Sequence, residues 1–221
     1  MMMNYQLIQD VIELVQKFEN QNKNRYNNDL DGFKQWVVQS FTNNSSAPEP
    51  DWIGKEKGRS PESVINTFIV HMNRYAKSYS KSAINDSEFS TQEDFIYLIT
   101  LKTFGAMSKM ELIKENVHDK PAGMQIINRL INHGWIEQTH SETDKRTKVI
   151  RITEKGLQTL ENHMGKIRKA SHIVTGDLTH PEKMELIRLL SKLNEFHHPI
   201  YCKNLESKDL LDTAYLQLSE N

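Results

Sequence analysis

The chain has 221 residues, of which 37% are hydrophobic and 26% charged, and its formal net charge is −1, a balance that allows a buried core under a polar surface. The single cysteine, Cys202, excludes an internal disulfide framework, and no apolar run approaches the roughly 18 residues of a membrane span. The N-terminus lacks the features of a signal peptide, so we expect a cytoplasmic protein without membrane contacts.

The first part of the chain contains two predicted helices and a polar connection. Apolar residues recur at helical spacing from Leu7 to Phe18 and again from Leu30 to Phe41. Asn, Ser, Pro and Gly then punctuate residues 43–60. We therefore assign residues 1–44 to an N-terminal helical extension and residues 45–61 to a linker.

A long amphipathic helix is predicted to follow Ser60, with Pro61 in its first turn and Glu62 next to it. Its apolar stripe is wide and continues to Tyr79. A long helix with such a stripe at the start of a domain often packs against a partner chain as well as its own core.

Three short helices are predicted next. Ser90-Thr91-Gln92-Glu93 and Ser108-Lys109-Met110-Glu111 both have the capping-box pattern, and each opens one helix. Asp119 caps the third, which ends at Gly134. The connection between the second and third helices is only a few residues long, which suits a helix-turn-helix.

A charged hairpin follows the third helix. Residues 135–139 and 148–152 read as strands that polar residues join, and Thr153 and Thr179 cap two further helices. The predicted fold class is mainly α with a small β-hairpin, a winged helix-turn-helix with flanking dimerisation helices. In that architecture the third helix enters the major groove of DNA and the hairpin reaches the neighbouring backbone or minor groove.

The basic residues of this region are candidate DNA contacts. Residues 119–155 carry a net charge of +2, which leaves −3 for the rest of the chain. Lys120, Lys145 and Lys148 are plausible phosphate contacts, although surface lysines are common and a solvated side chain is the more usual interpretation of each one alone. Arg129 either faces a phosphate or braces its helix internally. Asp144 could orient Arg146 for a narrow minor groove.

Residues 119–156 resemble the multiple-antibiotic-resistance regulator (MarR) family. Four of its motifs stand here at matching spacing: Arg129-Leu130 late in the third helix, Gly134-Trp135-Ile136 at the first strand, Asp144-Lys145-Arg146 at the hairpin tip, and Ile152-Thr153-Glu154-Lys155-Gly156 before the next helix. The resemblance covers about residues 62–196, which we assign to a MarR-like winged-helix dimer domain, with residues 197–221 as a C-terminal tail.

The resemblance implies a homodimer that binds double-stranded DNA at a pseudo-palindromic promoter site. Many regulators of this family are repressors that a small phenolic effector or thiol oxidation releases, and the sequence leaves repression or activation open. The start of the recognition helix departs from the family, which often has Ser or Thr there and Arg near the middle. This chain has Pro121, Ala122, Met124 and Gln125 among its candidate contacts. Gln125 suits an adenine edge and Met124 a thymine methyl group.

A candidate effector crevice is assigned to the long helix at His71, Met72 and Tyr75, where the family tends to form one. The same stripe is also readable as core or dimer interface. No catalytic, metal or cofactor residues are assigned, because no phosphate loop, catalytic triad or metal-ligand spacing stands in the sequence.

Two other functions stay open at this point. A winged helix also serves as a protein-interaction module that leaves DNA untouched, and the near-neutral charge fits that alternative. An enzyme with its site in the N-terminal segment has less support.

Overall fold

The computed structural model describes residues 5–22, 25–43, 50–140 and 148–219. The chain divides into two compact units, Met1–Pro61 and Glu62–Asn221, and each is described by itself. None of the helices in these ranges combines the length and the apolar character that crossing a lipid bilayer requires.

The first unit is a helical pair. Helices α1 (Tyr5–Gln21) and α2 (Leu30–Asn43) pack through the rings of Phe18, Phe33 and Trp36, whose centroids lie 5.5–6.2 Å apart. Such aromatic pairs add to the stability that burial alone provides.

The predicted linker has local structure in its described part, residues 50–61. A short 3₁₀ helix runs from Lys55 to Lys57 between Gly54 and Gly58, both at positive φ. The Trp52 indole N–H donates to the carbonyl oxygen of Arg59 at 2.8 Å and closes this turn.

The second unit is a winged helix with long helices before and after it. Its elements, in chain order, are α3 (Pro61–Ala83), α4 (Gln92–Phe104), α5 (Lys109–Glu115), α6 (Lys120–Asn132), β1 (Ile136–His140), β2 (Lys148–Ile152), α7 (Glu154–Val174), α8 (His180–Cys202) and α9 (Ser207–Ser219). The predicted fold class is confirmed. Helix α8 runs through residue 196, where the sequence predicts the dimer domain to end, and the segment after it forms α9.

The two strands pair antiparallel, with Ile136 opposite Ile152 and His140 opposite Lys148. A third backbone segment joins them, since Met107 and Ile150 exchange two hydrogen bonds of 2.7 and 3.1 Å. The first strand lies one residue later than predicted, because Trp135 is the buried residue that turns the chain from α6 into β1.

The core of this unit lies between the three short helices, the hairpin and the start of α7. Its fully buried side chains include Leu98, Leu112, Ile127, Leu130, Trp135, Ile150 and Leu160. Burial of this apolar surface holds α6 and the wing in a fixed relation.

The helix caps follow the sequence signals with one correction. The predicted caps at Ser108, Asp119 and Thr153 are confirmed, each accepting a backbone N–H from its own first turn. The first capping box closes between Thr91 and Asp94, one residue later than predicted. The reason is that Asp94 is fully buried and accepts the backbone N–H of Ser90 at 2.7 Å and of Thr91 at 3.1 Å.

Candidate nucleic-acid interface

The recognition helix α6 is seated against α5 at a close approach. A Cβ added to Gly123 would lie 2.5 Å from the Ile113 side chain, so only glycine allows this spacing. Ile126, Ile127 and Leu130 are buried on the same side of the helix. These contacts determine which face of α6 is turned outward.

The outward face of α6 is a polar stripe. Pro121, Gln125, Asn128 and Asn132 are all exposed and follow each other at helical spacing. Amide side chains pair with the N6 and N7 atoms of adenine in the major groove. Asn128 and Asn132 were not among the predicted contacts, and their i, i+3 and i+7 spacing from Gln125 is the sequence signal that indicates them.

The predicted contacts at the start of α6 lie close to this stripe. Lys120 and Pro121 are exposed and Ala122 is half-buried. The carboxylate of Asp119 accepts the backbone N–H of Ala122 at 2.7 Å and fixes the first turn. The exposed Lys120 stays a candidate phosphate contact, whereas the backbone N–H of Ala122 is already bonded to Asp119.

Met124 does not lie on the outward stripe. Its side chain is half-buried and packs against the hydrophobic core. A contact of its exposed part with a thymine methyl group stays a prediction.

Arg129 braces α6 against α4. Its Nε and Nη2 atoms donate to one carboxylate oxygen of Asp94 at 2.8 and 2.6 Å, and Nη2 also donates to the Thr91 hydroxyl at 3.2 Å. Of the two alternatives in the sequence, the internal brace is the one observed. Because Asp94 is fully buried, its charge needs this partner.

The turn between α5 and α6 is strained and well held. Val117 has φ +52°, a left-handed conformation that costs about 1 kcal/mol or more for a β-branched residue. Asn116 holds the turn by donating to the Leu112 carbonyl oxygen at 2.8 Å and accepting from the Thr100 hydroxyl at 3.1 Å.

A polar group from α4 supports the same turn. The Tyr97 hydroxyl lies 3.1 Å from Nδ1 of His118, and Nε2 of that ring lies 3.6 Å from the Glu93 carboxylate. Burial, followed by the charge of Glu93, raises the pKa of Tyr97 above its ordinary value, so its hydroxyl is a neutral donor. The ring of His118 thus lies between Tyr97 and Glu93, both of them residues of α4.

The base of the wing depends on a second close approach. A Cβ on Gly156 would lie 2.1 Å from the carbonyl oxygen of Trp135. The Thr153 hydroxyl donates to the carbonyl oxygen of Gly134 at 2.7 Å and accepts the N–H of Gly156 at 3.0 Å. This arrangement explains the Thr-x-x-Gly motif as a joint that sets the angle between wing and α7.

The described part of the wing presents one basic residue of the predicted set. Lys148 is exposed, opposite His140 in the strand register. Arg151 is paired with Glu137 across the strands at 2.8 Å. The predicted tip residues Asp144, Lys145 and Arg146 lie outside the described residues.

The predicted effector residues lie together on α3. His71, Met72 and Tyr75 are all exposed, and the rings of His71 and Tyr75 are 6.4 Å apart. Within the described residues they line an open helix face, so a ligand crevice at this place stays a prediction. The described residues contain no cluster of three His, Cys, Asp or Glu side chains placed to hold a metal ion.

Comparisons with known proteins agree with this geometry. Residues 89–156 match the family model of the winged helix DNA-binding domain. The HTH-type transcriptional repressor NicR of Pseudomonas putida is 27% identical over 103 residues, which span 47% of this chain and 65% of NicR, just under two thirds.

Two solved structures share the fold at low sequence identity. One is of BpsR from Bordetella bronchiseptica, whose DNA binding is regulated by 6-hydroxynicotinic acid. It has a TM-score of 0.55 and 19% identity, and the match covers 66% of this chain and 98% of BpsR. The other is a mutant of MarR from E. coli in complex with operator DNA. Its TM-score is 0.54 and its identity 21%, with 65% of this chain and 99% of MarR covered.

The capped helix-turn-helix, the hairpin wing and these matches point the same way: residues 89–156 form a winged helix DNA-binding domain, and the fold is similar to that of MarR and BpsR.

Proposed function

We propose that this protein is a sequence-specific transcriptional repressor that binds a pseudo-palindromic promoter site as a homodimer and responds to a small-molecule effector. The observation that carries the proposal is the outward face of α6. It presents Gln125, Asn128 and Asn132 to solvent while the opposite face is fixed in the core. A rigid helix with free amide groups is suited to reading base edges in the major groove.

Phosphate contacts supply the affinity in this mechanism, and base contacts supply the specificity. Lys120, at the first residue of α6, and Lys148, on the wing, flank the amide stripe along the chain. The resemblance to the family supports Arg146 as a further contact, since a guanidinium group suits a narrow minor groove.

The homodimer is supported by apolar side chains that the single protomer leaves exposed. On α3 the exposed fractions are 60% for Phe68, 53% for Ile65 and 54% for Tyr75. On α8 Ile187 and Leu190 are 55% and 49% exposed. Contiguous apolar surface of this kind marks an interaction site, and a second copy covering it would set two α6 helices about 34–36 Å apart.

The effector of this proposal is a small aromatic compound bound beside His71, Met72 and Tyr75. The regulation of BpsR by 6-hydroxynicotinic acid supports this class of ligand. An exposed methionine and two adjacent rings offer a planar molecule an apolar face.

A shift assay at controlled salt tests DNA binding and the role of the wing. Replacing Arg146 with alanine should weaken binding to the specific duplex about tenfold, because one charge-assisted contact is lost, and should leave the melting temperature unchanged. Arg188→Ala is the matched control, since Arg188 lies on α8 and pairs with Glu185 at 2.6 Å. Equal affinities of both variants and the parent protein would contradict the wing contact.

The protein-interaction module is the second candidate, and the net charge of −1 favours it. Its signature differs from that of a DNA-binding regulator. DNA binding weakens steeply with salt, because counterions are released from the phosphates. A protein partner bound through apolar helix faces, with no salt-dependent binding to any duplex, would favour the module.

A further inference from the structure

Helix α8 touches the rest of its unit almost only at its C-terminal end. From His180 to Glu195 every residue except Lys183 is exposed. In the last turn, by contrast, Ile200 is 3% exposed and Tyr201 and Cys202 are half-buried. One docked turn therefore anchors a helix of 23 residues.

The docked turn contacts the helix-turn-helix at the strained connection before α6. The Tyr201 hydroxyl donates to the backbone carbonyl oxygen of His118 at 2.6 Å. His118 directly precedes Asp119, the N-cap of α6, and directly follows Val117 with its positive φ. The bond thus acts on the backbone where the direction of the recognition helix is determined.

The side chain of His118 is held by helix α4 of the winged helix. The ring of His118 is hydrogen bonded to Tyr97 of α4, while its carbonyl oxygen is bonded to Tyr201 of α8. His118 is therefore shared between a rigid core helix and the end of an exposed arm. A shift of α8 relative to α4 must act on this residue before it acts on α6.

Pro199 lies between the exposed part of α8 and its docked last turn. A proline inside a helix has no N–H to donate to the carbonyl oxygen four residues earlier, here that of Glu195. The backbone ladder is interrupted where exposed α8 meets its docked end.

We propose that Tyr201 is a positioning residue for DNA recognition: its hydroxyl fixes the α5–α6 turn and ties the orientation of α6 to the position of α8. This inference rests on the proposed function, because α8 carries part of the apolar surface assigned to the homodimer. A change in the packing of the two copies reaches the recognition helix through this bond. Conversely, DNA binding stabilises one arrangement of the arms, since coupling between two sites is reciprocal.

The test compares Tyr201→Phe with Tyr5→Phe, which removes the same hydroxyl from an exposed residue of α1. The first readout needs no DNA. Hydrogen exchange of the amides of residues 116–119 should be about three- to tenfold faster in Tyr201→Phe, as expected for the loss of one hydrogen bond, and unchanged in Tyr5→Phe. Unchanged exchange in both variants would overturn the proposal.

The second readout separates positioning from a general loss of stability. At a temperature well below unfolding, Tyr201→Phe should bind the specific duplex about three- to tenfold more weakly, while its binding to random duplexes at the same salt stays unchanged. A purely structural role would lower the melting temperature and leave this ratio intact, which would contradict the proposal. If the parent protein bound no duplex specifically, the proposed function would fail and the DNA-recognition role of Tyr201 with it, while the exchange readout would still decide whether its hydroxyl fixes the α5–α6 turn.

Discussion

The winged helix buries its apolar residues, whereas the long helices of the second unit leave many of theirs exposed. Between residues 89 and 156, Leu98, Leu112 and Ile150 have no exposed surface. On α3 and α8, Phe68 and Ile187 are 60% and 55% exposed. One region completes its core within a single chain, and the other leaves an apolar surface that fits the proposed contact with a second copy. The buried apolar residues stabilise the fold of one chain, whereas the exposed ones are suited to contacts between chains.

A charge placed on the exposed apolar stripe of α3 should have the largest effect on the proposed dimer. Phe68→Glu should weaken dimerisation at least a hundredfold, ~2.7 kcal/mol, because an unpaired carboxylate would have to be buried. Asn66→Glu, on the opposite side of the same helix, is the matched control. Sedimentation velocity measures both, and equal dimer fractions in the two variants would place the interface elsewhere.

The buried ion pair of the winged helix should give an effect of comparable size. Asp94→Ala should lower the free energy of unfolding by about 3 kcal/mol, because Arg129 loses its partner and the α4 cap is lost. Asp86→Ala should change it by less than about 0.5 kcal/mol, since the Asp86–Lys166 pair is exposed on both sides. Urea unfolding followed by circular dichroism provides the two values, and similar values would mean that Asp94 does not hold α6.

Two glycines of α7 test the difference between the crowded base of the wing and the open part of this helix. Gly156→Ala should destabilise by about 2 kcal/mol, because its Cβ would meet the Trp135 backbone at 2.1 Å. Gly165→Ala should stabilise by about 0.5–1 kcal/mol, since nothing lies within 4 Å of its Cβ and alanine favours the helix. Thermal unfolding of both variants tests the sign, and a shared sign would contradict the account of the joint.

The smallest expected effects distinguish a base contact from a phosphate contact on α6. Asn128→Ala should cost about 1–2 kcal/mol of binding to the specific duplex and relax base preference at one position. Lys120→Ala should weaken binding to all duplexes alike and reduce the salt slope by about 1. Titrations at several salt concentrations separate the two outcomes. If Asn128→Ala lost the same affinity for specific and random duplexes, Asn128 would not be a base contact.

Local signals in the sequence predict much of the fold. The caps at Ser108, Asp119 and Thr153 and the bounds of β2 are confirmed, because each depends on residues within one turn or one strand. The family motifs also acquire physical reasons. Gly134 has φ +68°, and Gly156 faces a backbone carbonyl oxygen that a side chain would strike.

The parts that the sequence does not predict depend on contacts between distant residues. Arg129 meets Asp94 from 35 positions away, so its choice between phosphate and brace could not be decided from spacing. Met124 is half-buried because it packs against a core cluster to which other helices contribute. Tyr201 contacts His118 across 83 positions, and no periodicity indicates such a pair.

Selection of duplexes from a random library, with the parent protein at fixed salt, tests the central claim most directly. The account predicts a two-fold symmetric site whose half-sites are centred about 10 base pairs apart, bound by two copies of the chain. Enrichment of a single unpaired half-site, or no enrichment at all at low salt, would contradict it.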